Sequence, residues 1–219
     1  MQKAIIYDLD DLMVNSDPLH VQTDELLLEE HGHKFAELPK ELRSGFIGMR
    51  VTDILKEIVK YLNLNVDLDS LYQKRTEIFL KLVKEKLEAM PGLNESLELF
   101  KTNGFKIALA SSGAKEYINL VLDKFNIKKI FDVIVSGDDV KSGKPHPETY
   151  LITSEKLGVK PKKCLVLEDS TKGIESAKSA GCKCIAIINP YTPTQDNSKA
   201  DIVLNSLNEI TLDMVNSLT

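Results

Sequence analysis

The spacing of apolar positions along the chain changes at Met90-Pro91-Gly92. Beyond this point, short apolar runs alternate with segments of helical periodicity. The runs contain few polar residues, which is typical of strands buried on both faces of a parallel sheet. Strands are expected at 105–110, 132–135, 164–167, 184–188 and 202–204, and helices at 93–102, 115–124, 147–157 and 171–180. This alternation predicts an α/β fold with helices on both faces of the sheet.

The segment before this point has a different pattern, apart from one short apolar run at Ala4 to Tyr7 that belongs with the strands. Residues 16–87 favour helices throughout: 16–32, a short piece after Pro39, then 52–62 and 68–87. In the third of these, Ile54, Leu55 and Ile58 keep the 3.6-residue period of an amphipathic helix. The pattern predicts an all-helical insertion at 16–87, within a core formed by 1–15 and 88–219.

Composition narrows the class of protein. A chain of 219 residues can form one large domain, or a domain plus an inserted one. The net charge of -5 argues against a nucleic-acid groove, and no apolar run approaches the length of a membrane span. Because the first residues lack the features of a signal peptide, we expect a cytoplasmic protein. We also expect a monomer. The three cysteines, Cys164, Cys182 and Cys184, are expected to be buried free thiols.

Acidic residues follow the first strand directly, at Asp8, Asp10 and Asp11. Carboxylates this close repel one another unless a cation, a proton or hydrogen bonds hold them. The stretch is therefore either a solvated turn or the start of a metal site. Ligands of open parallel sheets bind beyond the carboxyl ends of the strands, so the residues after the other strands distinguish the two readings.

Chemically active side chains follow several of these strands. They are Ser111-Ser112-Gly113, then Asp138-Asp139 with Lys144 beyond, and Glu168-Asp169. An aspartate can attack phosphorus, and Mg²⁺ prefers carboxylates together with phosphate oxygens. A serine near a helix start and a lysine can hold the phosphate oxygens, and a second acid can move a proton. These groups together indicate phosphoryl transfer.

With these motifs in order, the chain resembles the haloacid dehalogenase-like superfamily, in its phosphatase and β-phosphoglucomutase branch with a helical cap. The matching motifs are Asp8-Leu9-Asp10, Ser111 after Ala108-Leu109-Ala110, Lys144 before Pro145, and Glu168-Asp169-Ser170. The resemblance covers essentially the whole chain. It implies a Rossmann-like parallel sheet, with the insertion at 16–87 forming the cap.

The resemblance also implies a role for each motif. Asp8 is the nucleophile and Asp10 the general acid and base. Mg²⁺ is held by Asp8, the backbone carbonyl of Asp10, and Asp169 together with Glu168. Ser111 and Lys144 bind the transferring phosphate. Asp11 departs from the family pattern, which most often has glycine there, and is a candidate for shaping the turn that leads to the cap.

Further residues are candidates for contacts with the substrate. Ser112 lies in the turn after the strand at 105–110 and Lys115 follows that turn. His20 lies just beyond the crossing to the cap, and Gly48 and Arg50 lie in a cap loop. Asp138 and Asp139 either take part in the site or only cap or brace the following loop. His31 and His33 are expected to be solvated, since residues two apart on a helix do not face one another.

The predicted function is a Mg²⁺-dependent phosphatase that hydrolyses a small phosphate ester, in particular a sugar phosphate, through an aspartyl-phosphate. The alternative is a mutase of the β-phosphoglucomutase type, working through a bisphosphate. A receiver-type signalling domain fits less well, because its acceptor aspartate would lie on a later strand of a shorter chain. A non-catalytic phosphate-binding protein also fits less well, because both Asp8 and Asp10 are present. The expected partner is a small phosphorylated metabolite.

Overall fold

The computed structural model describes residues 3–46, 49–192 and 194–218, and in this part of the chain six strands form one parallel sheet. The strands are β1 (Ala4–Tyr7), β2 (Lys106–Ala110), β3 (Val133–Val135), β4 (Cys164–Glu168), β5 (Lys183–Ile187) and β6 (Ile202–Leu204). Their order across the sheet is β3-β2-β1-β4-β5-β6. The predicted strands and the Rossmann-like α/β fold are confirmed.

Helices connect these strands and form the insertion. Their bounds are α1 (Asp17–Glu29), α2 (Lys40–Ser44), α3 (Val51–Leu62), α4 (Leu68–Lys86), α5 (Leu93–Thr102), α6 (Lys115–Lys124), α7 (Glu148–Leu157), α8 (Thr171–Ser179) and α9 (Leu212–Leu218). The apolar pattern predicted all of them except α9. Short 3₁₀ turns occupy Phe35–Glu37, Lys128–Ile130, Gly137–Asp139, Pro161–Lys163 and Leu207–Glu209.

Alternate residues of β1, β2, β4 and β5 enter two separate apolar clusters, one on each face of the sheet. On β1, Ile5 and Tyr7 belong to the cluster that includes residues of α5, α6 and α9, while Ala4 and Ile6 belong to the cluster with α7 and α8. The second face is lined by small residues, including Ala108, which let its helices pack closely. Burying one large aliphatic side chain contributes about 1.5–3 kcal/mol, so both faces stabilise the sheet.

The helices α1 to α4 carry apolar clusters of their own and also pack on the sheet domain. One cluster joins α1 and α3 and is formed by Leu28, Phe35, Leu38, Phe46, Ile54 and Ile58. A second, of Leu27, Leu55 and Leu71, joins α4 to both. Phe79, Leu82 and Val83 of α4 belong instead to the cluster that contains Ile118 and Val121 of α6. The α4–α6 packing therefore seats the helical insertion on the core. The division into two domains at 16–87 stays a prediction.

The two chain crossings between the insertion and the core lie side by side. The N–H of Asn15 donates to the carbonyl of Glu88 at 3.0 Å, and the N–H of Met90 donates to the carbonyl of Met13 at 2.9 Å. These bonds tie together the places where the chain enters and leaves the insertion.

Asp11 caps the first helix of the insertion. Its Oδ1 accepts hydrogen bonds from the N–H groups of Ser16, at 3.1 Å, and Asp17, at 2.8 Å. Ser16 is the N-cap residue of α1, but its own side chain makes no capping bond. Asp11 has φ +63°, a left-handed conformation that aspartate tolerates better than most residues. The acid at this position therefore joins the turn after β1 to α1.

An Asp11→Ala variant is expected to lower the free energy of unfolding by about 2 kcal/mol, because it loses the cap and strains the left-handed backbone. Asp11→Asn is the matched control, since an amide oxygen can accept the same bonds and asparagine adopts this conformation readily. Urea denaturation of both variants measures the difference. Equal stability of the two would contradict the capping role.

The three cysteines are buried and form no disulfide, as expected. In the described part of the chain, none of the helices has the length and apolar character needed to cross a membrane. The expected monomer, its cytoplasmic location and the absence of a nucleic-acid partner stay predictions.

Candidate active site

The carboxyl ends of three adjacent strands bring the sequence motifs together. Asp8 follows β1 at the centre of the sheet, Ser111 follows β2 on one side, and Glu168 ends β4 on the other. Lys144 reaches the same edge from the loop between β3 and α7. A cavity of about 770 Å³ opens above them, closed on its far side by the helical insertion. The site therefore lies between the sheet and the insertion.

Lys144 is the buried cation of this site. Its ammonium donates to Asp8 Oδ1 at 2.5 Å, to Glu168 Oε1 at 2.7 Å and to the carbonyl of Ala110 at 3.4 Å, and lies 4.9 Å from the centre of the Tyr150 ring. Burial alone would lower the pKa of Lys144, but the two carboxylates outweigh it and raise the pKa. The lysine is therefore charged at neutral pH.

The two carboxylate oxygens of Glu168 accept five hydrogen bonds. Oε1 accepts from Lys144 and from the Tyr150 hydroxyl at 2.8 Å. Oε2 accepts from the N–H groups of Asp169 and Ser170 and from the Ser170 hydroxyl, each at 3.0 Å. Burial raises the pKa of Glu168, but Lys144 and these bonds outweigh it and hold the pKa below its ordinary value. Glu168 is thus an ionised partner that orients Lys144.

Gly173 makes room for this carboxylate. A Cβ atom at position 173 would lie 1.6 Å from Glu168 Oε1. Because α8 has no side chain here, the helix can run directly against the buried acid.

Asp8 and Asp169 are crowded acids with few partners. Burial raises the pKa of both, and the charge of Glu168 adds to the effect. Lys144 lowers the pKa of Asp8 but does not cancel these effects. Within the described residues, no N–H or O–H donates to the carboxylate of Asp169, and one oxygen from each of Asp8, Glu168 and Asp169 lies within 4.8 Å of the others. This oxygen-rich, negatively charged cluster suits a hard divalent cation.

Asp10 is held by groups that sequence reasoning partly missed. Its Oδ1 accepts a hydrogen bond from the Tyr117 hydroxyl at 2.5 Å, while its Oδ2 lies 3.5 Å from the Ser111 hydroxyl. Burial raises the pKa of Asp10, and the Tyr117 bond works in the opposite direction. Burial, together with the charge of Asp10, raises the pKa of Tyr117 well above its ordinary value. Tyr117 therefore keeps its proton and donates a hydrogen bond to the acid.

Ser111 belongs to the turn expected to hold phosphate. It is buried, and its hydroxyl accepts a hydrogen bond from the N–H of Gly113 at 2.9 Å. Ser112 is half-buried and lines the cavity.

Arg50 also lines the cavity, from the insertion side. Its guanidinium donates to the carbonyl of Val140 at 2.9 Å and lies against Gly143. The insertion therefore contacts the core at the rim of the site. Gly48, predicted with Arg50, lies outside the described residues.

Lys115 lies outside the lining of the cavity, and its contact with the substrate stays a prediction. The residue is exposed as the first residue of α6, and its backbone N–H donates to Asp138 Oδ2 at 2.9 Å. Asp139 accepts from the N–H and hydroxyl of Ser136. Both acids therefore brace local structure, one of the two roles considered for them.

His20 reaches the cavity wall, where it stacks on Phe79 with ring centroids 4.1 Å apart. Its Nδ1 lies 3.3 Å from the guanidinium of Arg75, which pairs with Asp24 at 2.7 Å. Burial lowers the pKa of His20, and the Arg75 charge lowers it further. The imidazole is therefore neutral, and it contacts neither Asp8 nor Asp10.

Reading the ends of the strands missed Tyr117, Tyr150 and the Arg75–Asp24 pair. Both tyrosines lie in the first turn of the helix that follows a strand end, which faces the same edge of the sheet. Inspecting the first turn of each following helix, as well as the strand ends, would have identified both tyrosines. The Arg75–Asp24 pair joins two cap helices, and no local pattern in the sequence signals it.

Comparison with known proteins decides the family. The model of the haloacid dehalogenase-like hydrolase family matches residues 5–187. The chain belongs to this family. The resemblance read from the four motifs is confirmed, and so is the enzyme class, a phosphoric monoester hydrolase.

Individual relatives of this family cover most of the chain. A phosphorylated carbohydrates phosphatase of Thermotoga maritima is 34% identical over 187 residues, covering 84% of this chain and 83% of the relative. Hexitol phosphatase B of Escherichia coli is 29% identical over 215 residues, covering 95% and 94%. The crystal structure of CbbY from Rhodobacter sphaeroides with phosphate superposes with a TM-score of 0.86 at 25% identity, covering 99% and 100%. Another structure of CbbY holds xylulose-(1,5)bisphosphate.

Proposed function

We propose that this enzyme is a Mg²⁺-dependent phosphatase that hydrolyses a small sugar phosphate through an aspartyl-phosphate on Asp8. The proposal rests on one observation: two acids lie at the same edge of the sheet and have different surroundings. Asp8 contacts the Lys144 ammonium, while Asp10 lies against uncharged hydroxyls. One acid is suited to attack and the other to carry a proton. The substrates named for the relatives support the sugar phosphate.

In the first step, a carboxylate oxygen of Asp8 attacks phosphorus and the bond to the ester oxygen breaks. Burial raises the pKa of Asp10, which favours the protonated acid that the departing oxygen needs. Lys144 and Ser111 would hold the phosphate oxygens. The products are the free alcohol and an aspartyl-phosphate.

In the second step, water attacks the phosphorus of the aspartyl-phosphate and gives a proton to Asp10. The bond between phosphorus and Asp8 breaks, which releases inorganic phosphate and restores both acids to their initial states. The same residue thus serves first as acid and then as base.

The donor set fits Mg²⁺, which favours a few carboxylates plus waters and phosphate oxygens. The carboxylates of Asp8 and Asp169 and the backbone carbonyl of Asp10 would hold it. When bound, it would neutralise phosphate charge and relieve the repulsion between the acids. Glu168 belongs to the same cluster, but its hydrogen bonds favour a role in holding Lys144 over direct ligation.

The cavity supports a small substrate. Its volume, about 770 Å³, is in the range of small-molecule sites. Ser112, His20 and Arg50 line it and would contact the sugar. Arg50 could also hold a second phosphate, and on this ground a phosphosugar mutase remains the alternative function.

A screen of phosphate esters with Mg²⁺ tests the proposal. It should include β-glucose 1-phosphate with a trace of the bisphosphate, and score both free phosphate and isomer. We expect free phosphate from one or more sugar phosphates. Isomer formation without free phosphate would overturn the phosphatase in favour of the mutase, and no turnover of any ester would contradict both.

A further inference from the structure

The hydroxyls of Tyr117, Ser16 and Ser111 all lie beside the carboxyl group of Asp10, and the bond from Tyr117 has the largest effect on it. The Tyr117 hydroxyl lies 2.5 Å from Oδ1, whereas the Ser111 hydroxyl lies 3.5 Å from Oδ2. A bond of 2.5 Å is at the short end for O–H···O contacts, as expected when the acceptor is a carboxylate. Tyr117 therefore determines the orientation of this carboxyl group more than any other side chain does.

The tyrosine itself is held on several sides. It is 5% exposed, and its ring packs against Phe79 with centroids 5.0 Å apart. A Cβ atom on Gly113 would lie 2.9 Å from the ring, so the turn after β2 contacts it closely. Because the ring is packed by both the core and the helical insertion, its hydroxyl stays in one place.

We infer that Tyr117 is a positioning residue that aims Oδ2 of Asp10 at the ester oxygen of the substrate. With Oδ1 engaged by the short bond from the tyrosine, Oδ2 is the more weakly bonded oxygen and the one assigned to exchange a proton. In the first step that proton moves from Oδ2 to the ester oxygen as its bond to phosphorus breaks, and Tyr117 neither gains nor loses one. The inference rests on the proposed phosphatase activity and adds a residue to its mechanism.

The effect of losing Tyr117 on the rate depends on the leaving group of the substrate. A sugar alkoxide is a poor leaving group and needs the proton from Asp10, whereas p-nitrophenolate leaves readily without it. Loss of positioning should therefore slow phosphoryl transfer from a sugar phosphate and leave transfer from p-nitrophenyl phosphate nearly unchanged. A general loss of structure would slow both alike.

The test compares kcat/KM of Tyr117→Phe for p-nitrophenyl phosphate and for the sugar phosphate that the wild type hydrolyses fastest. The ratio kcat/KM reports the first phosphoryl transfer, in which the two substrates differ. We expect a loss of about 10–100-fold with the sugar phosphate and less than about threefold with p-nitrophenyl phosphate. Tyr117→Leu, which removes the hydroxyl with a different packing change, should show the same selectivity if Tyr117→Phe fails to fold.

Two further variants separate the possible outcomes. Tyr7→Phe is the matched control, because it removes a buried hydroxyl that bonds Ser96 at 3.0 Å, away from the cavity. It should leave the substrate ratio unchanged. Asp10→Ala measures the full effect of losing the acid. If Asp10→Ala is selective and the Tyr117 variants are not, the positioning role is wrong and the phosphatase stands. If Asp10→Ala is not selective either, the proposed mechanism itself fails.

Discussion

An Asp8→Asn variant is expected to release no measurable phosphate from any ester that the wild type hydrolyses. The amide cannot attack phosphorus, so no aspartyl-phosphate forms, and removal of a covalent nucleophile costs roughly 10⁴-fold or more. The fold should persist, because Lys144 keeps its bond to Glu168 and the substitution removes a crowded buried charge.

Two measurements check this prediction. Phosphate release gives the rate, and acid quenching with a labelled substrate shows whether phosphate becomes attached to the protein. Asp123→Asn is the matched control, since this acid is exposed at the far end of α6 and should leave activity unchanged. Activity of Asp8→Asn above about a hundredth of the wild-type rate would show that Asp8 is not the nucleophile.

Removal of Mg²⁺ is expected to have an effect of similar size. Without a cation, Asp8 and Asp169 lie in a buried cluster with Glu168, and their raised pKa values express the cost of holding these charges together. A divalent cation would offset that cost and make the charged nucleophile available. We expect EDTA to abolish turnover and excess Mg²⁺ to restore it.

Thermal unfolding gives a second readout that does not depend on activity. A cation that binds only the folded state raises its stability, so Mg²⁺ should raise the Tm of the wild type. Asp169→Asn should show a smaller rise, because it loses a ligand. KCl added to the same ionic strength is the control for non-specific salt effects. A full rate of turnover after EDTA treatment, with no Mg²⁺-dependent Tm, would rule the metal role out.

The sequence predicted the sheet well because buried parallel strands carry their own signal. The apolar runs at β1, β4 and β5 have no polar face. Because the strands are parallel, the residues after them meet at one edge of the sheet however the helices pack. The positions of Asp8, Ser111, Lys144 and Glu168 follow from this geometry. Their placement at one edge could therefore be predicted before the helix packing was known.

The contacts between elements could not be predicted in this way. Tyr117 meets Asp10 only because α6 packs at a particular rotation, which apolar periodicity does not specify to one residue. The Arg75–Asp24 pair and the Arg50 contact with Val140 depend on how the helical insertion sits on the core. Lys115 is exposed at the start of α6, and its predicted contact with the substrate depends on the same packing.

Gly173 has a low helix propensity, yet the packing of α8 against Glu168 requires a glycine at this position. Glycine in a helix interior costs about 0.5–1 kcal/mol relative to alanine, so helix propensity alone would favour its replacement. Here the space that a methyl group would fill is occupied by the carboxylate of Glu168. The best helix former is thus excluded by a charge from the adjacent strand. A glycine in the first turn of a helix that follows an acidic strand end can therefore indicate that a buried carboxylate occupies the space of its side chain.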